Sequence, residues 1–339
     1  MNVTMKTKMA DILELPEFRN REYMLNPFMG DIFKEALGDR YEELSNGRSY
    51  TDYSLEEMEA FIPSWTIPSI REGWEYLVGK SEEKRLIYDY WSEDAKKADS
   101  SKEKTGLMAF VVPGCRKFVM ICPGGGYTNV CSISEGFPIA KQFNELGYSA
   151  FVLQYRTNEA AGYPNPMDDL AEALKYVFSN ADKFDVDVND YAVAGFSAGG
   201  HLAASFGTES LGYKKYDLPK PAALILGYPV ITMTDLTHGG SRDKLLGVDF
   251  REEDVQAYSI EKQVTECYPE TFIWYCEADA LVPAENSEML VEQIEKYGIE
   301  YEREVYKGDA HGWGTGDGTP AAGWIARAVR FWEQHWKYN

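Results

Sequence analysis

The chain has 339 residues, 44% of them hydrophobic, with a formal net charge of −21 and a pI near 4.7. These values exclude global disorder, and the field of so acidic a molecule argues against nucleic acid and anionic membrane surfaces as partners. It disfavours a strongly acidic substrate for the same reason. The five cysteines (Cys115, Cys122, Cys131, Cys267 and Cys276) form an odd set without metal-ligand spacing. That pattern predicts reduced thiols, no bound metal and a cytoplasmic location. Behind Lys6 and Lys8, the acidic Asp11, Glu14 and Glu17 interrupt any apolar run, so the reading is of no signal peptide and no membrane span.

Residues 1–82 are acidic, aromatic and irregular, and read as a mostly helical extension packed on the rest of the chain, a candidate lid or dimer arm. Phe28–Leu37 and Ser54–Phe61 look helical, the second opened by a Ser54/Glu57 capping box. Pro63, Pro68 and Gly73 break the region up. Its aromatics (Phe28, Phe33, Tyr41, Tyr50, Tyr53, Phe61, Trp65, Trp74) are expected mostly in ordinary packing. From residue 83 onward short apolar runs alternate with amphipathic ones. Strands are expected at Arg85–Trp91, Leu107–Val112, Phe118–Cys122, Ala150–Tyr155, Tyr191–Ala194, Ala222–Leu226, Phe272–Cys276 and Tyr301–Tyr306. Helices are expected at Glu135–Leu146, Met167–Phe178, Glu285–Tyr297 and Ala321–Trp336, with a polar insertion at about 232–269. Such alternation predicts an α/β fold: a mostly parallel eight-stranded sheet with helices on both faces.

One stretch carries a chemical signature. In Gly195-Phe-Ser197-Ala-Gly199 a strand turns sharply into a helix, and small flanking residues allow a strained backbone at the serine. The Ser197 hydroxyl is thereby lifted above the carboxyl end of the sheet, where the helix beginning at Ala198 aims its free N–H groups. A serine nucleophile needs a base. Of the four histidines, His201 lies behind the elbow as a packed or capping residue. His335 lies near the C-terminus on the last helix. His238 sits in the polar insertion. His311 follows the last strand, in Gly308-Asp-Ala-His-Gly-Trp313, at the edge Ser197 faces, and is the expected general base. Asp279, past the strand Phe272–Cys276, is the expected partner of that imidazole, with Glu277 and Asp309 as competitors. An oxyanion needs two backbone donors. The Ala198 N–H is one, and the loop Pro123-Gly-Gly-Gly-Tyr127 is placed to supply the other.

Pro123–Tyr127, Tyr155-Arg156, Gly195–His201, Asp279–Pro283 and Asp309–Gly312 together resemble the esterase/lipase branch of the α/β-hydrolases. Within it the chain is similar to the acetyl-esterase group of bacterial xylan and sugar deacetylases and feruloyl-type esterases. The elbow is shared across the superfamily. Tyr155-Arg156, Ser197–Ala203 and Thr237–Arg242 point to the sugar-esterase group. The resemblance covers about residues 85–339 and implies an α/β-hydrolase catalytic domain over 83–339. It implies the triad Ser197, Asp279 and His311, glycine-loop donors Gly125 and Gly126 beside Ala198, and no metal or organic cofactor. Tyr127, Tyr155 and His238 are the candidate substrate contacts. The related lipase branch usually has histidine where this chain has Pro123, which puts lipase-like substrate preference in doubt. The expected activity is a serine carboxylesterase acting on acetyl esters of sugars or oligosaccharides, compatible with a homo-oligomer. An aryl or feruloyl esterase, or a formamidase-type amide hydrolase, would use the same triad. A non-catalytic ligand-binding relative would typically lack one of its members.

Overall fold

The computed structural model describes residues 1–25, 38–45, 47–48, 50–61, 66–83 and 85–335. Eight strands form one sheet: β1 (Ile87–Tyr88), β2 (Gly106–Phe110), β3 (Phe118–Cys122), β4 (Ser149–Gln154), β5 (Tyr191–Phe196), β6 (Ala223–Gly227), β7 (Thr271–Cys276) and β8 (Tyr301–Tyr306). Their spatial order is β1-β2-β4-β3-β5-β6-β7-β8. The pairs β1–β2 and β2–β4 are antiparallel, and every later pair is parallel. Every residue of β2 through β7 is buried. Since successive side chains point to opposite faces, both faces of the sheet are covered. This is why these strands read as unbroken apolar runs. Only the edge strand β8 is partly open.

All eight expected strands form, with ends shifted by a few residues. The first is much shorter than the apolar reading of Arg85–Trp91: only Ile87 and Tyr88 pair. Asp89 turns aside to Arg21 and Lys96, each at 3.0 Å, and the Trp91 indole donates to Asp169 at 2.8 Å. The expected helix from Glu135 to Leu146 is two pieces, Ser132–Glu135 and Phe137–Glu145. Gly136 breaks it because Pro138, at the second helical position, favours a fresh start and donates no N–H. Glu135 thereby ends one turn and is directed into the core. The insertion 232–269 is more ordered than its polarity suggests, carrying helices Gly239–Leu246 and Glu252–Tyr258.

The largest departure lies before the sheet. Ile67–Glu83 is a continuous 17-residue helix, where Pro68 and Gly73 suggested breaks. Pro68 occupies the first turn, where its missing N–H has no partner to lose. Gly73 is a contact point: a Cβ there would lie 2.6 Å from the Pro138 ring. This lets helix Ile67–Glu83 sit close on helix Phe137–Glu145. The Ser54/Glu57 box forms as expected ahead of Leu55–Phe61, with Ser54 N–H to Glu57 at 2.9 Å. Met9, Ile12, Phe18, Tyr53 and Trp74 are buried in the same core as the sheet. Glu17 accepts the Leu86 and Ile87 N–H groups at 3.2 Å each, closing the edge at β1. The expected helix Phe28–Leu37, and Trp65 with it, lies outside the described residues. No helix among the described residues is long and apolar enough to cross a membrane.

Candidate active site

The elbow forms where β5 meets helix Ser197–Phe206. Ser197 takes φ +53°, a left-handed conformation that costs a non-glycine residue about a kilocalorie or more and persists only where the surroundings enforce it. Enforcement comes from packing. A Cβ at Gly199 would lie 2.1 Å from the Cys122 carbonyl oxygen and 2.3 Å from that of Pro123. The first turn of the helix therefore rides directly on the end of β3. The Val230 N–H holds the Ser197 carbonyl at 3.0 Å.

His311 and Asp279 arrive on two loops tied to each other. The Glu277 N–H donates to the Tyr306 carbonyl at 2.9 Å and the Ala278 N–H to that of Gly308 at 3.0 Å, so β7 and β8 stay paired past their ends. The His311 imidazole reaches Ser197 Oγ with Nε2 at 2.9 Å and Asp279 Oδ2 with Nδ1 at 2.6 Å. A carboxylate accepts only, so Nδ1 carries the hydrogen and Nε2 is free to accept the serine proton. The other Asp279 oxygen accepts the Leu281 and Val282 N–H groups at 2.9 and 3.0 Å, fixing the carboxylate in place. The competitors Glu277 and Asp309 are exposed. The sequence-expected trio is thus brought together from three distant segments.

The glycine loop leaves β3 and passes over Ser197. Gly124 lies between the serine and a buried acid: a Cβ on it would meet Ser197 Cβ and Glu135 Oε2, each at 2.8 Å. Its N–H donates to Glu135 Oε2 at 2.6 Å. Among the described residues, the Gly125 and Gly126 N–H groups have no protein acceptor. Gly125 and Gly126 have positive φ, 122° and 61°.

Other expected site residues take different positions. Tyr155 is wholly buried and donates to the Pro123 carbonyl at 2.7 Å, bracing the loop from below. Tyr127 is buried too, with its hydroxyl 2.9 Å from His201 Nδ1. His201 Nε2 meets the Tyr258 carbonyl at 2.9 Å, and burial pulls this imidazole down to about 4. It is packed behind the elbow, as expected. His238 caps helix Gly239–Leu246, its Nδ1 accepting the Ser241 N–H at 3.1 Å. Helix Trp324–His335 ends the described chain, and the His335 side chain lies outside the described residues.

Two residues around the site were not anticipated. Glu135, 5% exposed, accepts the Tyr228 hydroxyl with Oε1 at 2.8 Å. The Tyr228 ring stands edge-on to the His311 imidazole, centroids 4.9 Å apart. Burial pushes the Glu135 carboxyl up, against the pull of the Tyr228 hydroxyl, the Gly124 N–H and the His311 charge. The one local signal was Gly136 before Phe137-Pro138, which marks a helix break just after Glu135.

The chain matches known proteins over this part. Residues 114–294 match the BD-FAE family model. Endo-1,4-beta-xylanase B of Butyrivibrio fibrisolvens is 33% identical over 218 residues, 62% of this chain and 34% of that protein. Acetylxylan esterase of Xylanibacter ruminicola is 30% identical over 199 residues, 57% of this chain and 40% of that protein. The chain therefore spans well under half the length of these curated relatives. Among solved structures, an acetyl ester-xyloside bifunctional hydrolase from Caldicellulosiruptor lactoaceticus aligns with a TM-score of 0.66 and 29% identity, covering 73% of this chain and 95% of that one. With a family match across more than half its length, and with this sheet order and elbow, the chain belongs to the BD-FAE family and is an α/β-hydrolase of the esterase/lipase branch.

Proposed function

We propose that this protein is a serine-dependent carboxylic ester hydrolase that removes short acyl groups, acetyl foremost, from sugars or oligosaccharides. The observation that carries the reading is the unbroken chain Ser197 Oγ–His311–Asp279, with links of 2.9 and 2.6 Å. Ser197 Oγ attacks the ester carbonyl carbon while its proton passes to His311 Nε2. The carbonyl π pair moves onto oxygen, which rests on the Ala198 N–H and the Gly125 and Gly126 N–H groups. The intermediate collapses, the sugar hydroxyl leaves with the proton from Nε2, and acetyl stays on Ser197. Water, deprotonated by the same imidazole, then releases acetate.

The alcohol half of the reading draws on two supports. The Xylanibacter relative is named an acetylxylan esterase, and the Caldicellulosiruptor structure is named an acetyl ester-xyloside bifunctional hydrolase. In this chain, a cavity of about 440 Å³ runs along Thr128–Val130, directly after the glycine loop. Its lining mixes hydroxyl and amide groups with the charged Lys104, Arg156 and Glu159, and two buried atoms of its walls, Asn129 Nδ2 and Gln154 Oε1, have no hydrogen-bond partner. A buried amide group without a partner costs about 1–3 kcal/mol, and we infer that a hydroxyl-rich ligand entering the cavity relieves it. None of the five cysteines forms a disulfide, which supports a reducing compartment.

Ser197→Ala is expected to abolish p-nitrophenyl acetate hydrolysis without loss of fold by circular dichroism, and retained turnover sinks the assignment. A panel of acetylated xylo-, manno- and cello-oligosaccharides beside aryl esters and formamides, read by mass, tests the substrate class. Gln154→Leu is expected to lower kcat/KM on acetylated xylobiose about tenfold relative to p-nitrophenyl acetate, the worth of one buried hydrogen bond. An equal effect on both esters removes the cavity from the alcohol site.

A further inference from the structure

The acyl transfer through Ser197 makes no use of Glu135, yet this acid is among the most constrained side chains around the serine. It is 5% exposed and both carboxyl oxygens are engaged. Oε2 holds Gly124, the first glycine of the loop whose next two N–H groups are proposed to receive the oxyanion. Oε1 holds Tyr228, whose ring packs on His311 and whose hydroxyl lies 3.4 Å from the Gly314 N–H, just past His311. One carboxyl group therefore links the loop that receives the oxyanion to the loop that carries the base. The groups facing it are few. Tyr228 approaches from the end of β6, His311 from beyond β8, Tyr155 from β4 and Cys131 from the same turn. Helix Ile67–Glu83, packed on that turn, brings no charge to it among the described residues. Among the described residues, His311 is the one cation that bears on it when the imidazole is protonated.

We infer that Glu135 is an ionised positioning residue of the hydrolase site, pinning the oxyanion loop through Gly124 and supplying a second negative charge to His311. The inference rests on the esterase reading, since it needs an imidazolium to form. When the serine proton arrives on Nε2, the positive charge lies between two carboxylates. Asp279 bonds the ring directly, and Glu135 acts across the Tyr228 ring through a low-dielectric interior, where such an interaction is weakly screened. The same charge sits behind Gly124, so the loop cannot swing away from Ser197 without breaking a charge-assisted hydrogen bond. A carboxyl serving only to fill space would stay protonated in so buried a setting, and its neutral amide isostere would replace it without effect.

Glu135→Gln separates these cases because it keeps shape and removes charge. The expected result is an acid limb of the kcat/KM profile for p-nitrophenyl acetate displaced to lower pH by about half a unit or more, because the imidazolium loses an attractive charge. The value of kcat at the optimum is expected to fall about tenfold with KM within about twofold, since the oxyanion loop matters in the transition state. Glu135→Asp keeps the charge but shortens the reach to Gly124, so the limb stays in place and kcat alone falls. An acid limb and kcat unchanged in Glu135→Gln overturn the inference. Should Glu135→Gln fail to fold, a wild-type kcat in Glu135→Asp overturns the loop-pinning half, and a displaced limb in it overturns the charge half. Fluorophosphonate labelling of Ser197 in the wild type runs in parallel. An unreactive wild type defeats the hydrolase reading itself, whereas a reactive one with an indifferent Glu135→Gln defeats only this proposal.

Discussion

Two histidines of opposite character stand near Ser197. His311 is part-exposed and linked to a carboxylate, and so suited to take up and return a proton. His201 is buried and held neutral between a tyrosine hydroxyl and a backbone carbonyl. Burial lowers its pKa from the usual 6.5 to about 4. Below about pH 6.5 the unfolded chain binds a proton that the folded chain refuses. The folded state thus loses stability as pH falls through this window and keeps it in full above. The loss from this residue is about 2–3 kcal/mol between pH 7 and 4.5. His201→Gln is expected to flatten that part of the stability curve by this amount, measured by urea unfolding at both pH values. An unchanged slope means the imidazole is already protonated in the fold. At this scale Ser197, His311 and Asp279 were legible because each follows a strand in an order that suits one reaction. Glu135 and Tyr228 were not. Glu135 stood at the start of an expected helix and Tyr228 two residues past the expected strand Ala222–Leu226, and only packing turned both inward.

Among the elements, the end of β4 and helix Asn165–Ser179 are joined by a fully buried ion pair. Arg156 Nε lies 3.0 Å from Asp169, and the Arg156 N–H and the Trp91 indole donate to the same carboxylate at 2.7 and 2.8 Å. Burial pushes the Asp169 carboxyl up despite the Arg156 charge and hydrogen bonds that pull it down. We take the pair as ionised, because both Asp169 oxygens accept N–H groups, the Arg156 Nε–H being shared between them. The Tyr155-Arg156 dipeptide pointed in the sequence toward a sugar-esterase relative, and the structure shows why the two residues matter here. Tyr155 props the glycine loop, and Arg156 anchors the strand that carries it. Removing one partner of a buried pair leaves the other charge uncompensated. Asp169→Asn is expected to cost about 3 kcal/mol in urea unfolding, at the low end because Asp99 also reaches Arg156, at 3.1 Å. A loss near zero means the pair contributes nothing beyond its packing. The element boundaries that misled the sequence reading share one cause. Pro68 and Gly73 were weighed as breakers and the expected helix Glu135–Leu146 ran through Gly136 and Pro138, whereas in the fold these residues mark helix starts and close contacts between two helices.

For the molecule as a whole, the net charge of −21 sets a long-range field. Such a field lowers the local concentration of anionic substrates, and salt screens it over about 8–10 Å near physiological ionic strength. The ratio of kcat/KM for an anionic ester, 4-acetoxybenzoate, to that for neutral p-nitrophenyl acetate is expected to rise several-fold between low and physiological salt. A ratio independent of salt limits the acidity to keeping the protein dispersed.

The alternation of short apolar runs with amphipathic ones was enough to specify a covered, mostly parallel sheet, because residues buried on both faces must be apolar throughout. The small residues about Ser197 and the glycines after β3 announced an elbow and a facing loop, because only such residues tolerate that geometry. What depended on approach between distant segments could not be read along the chain. Gly73 against Pro138, Glu135 behind Gly124 and the ring of Tyr228 on His311 are contacts of shape and distance, not of local pattern. They arise only once the whole core has closed, since burial and hydrogen-bond partners belong to the assembled interior and not to any one stretch.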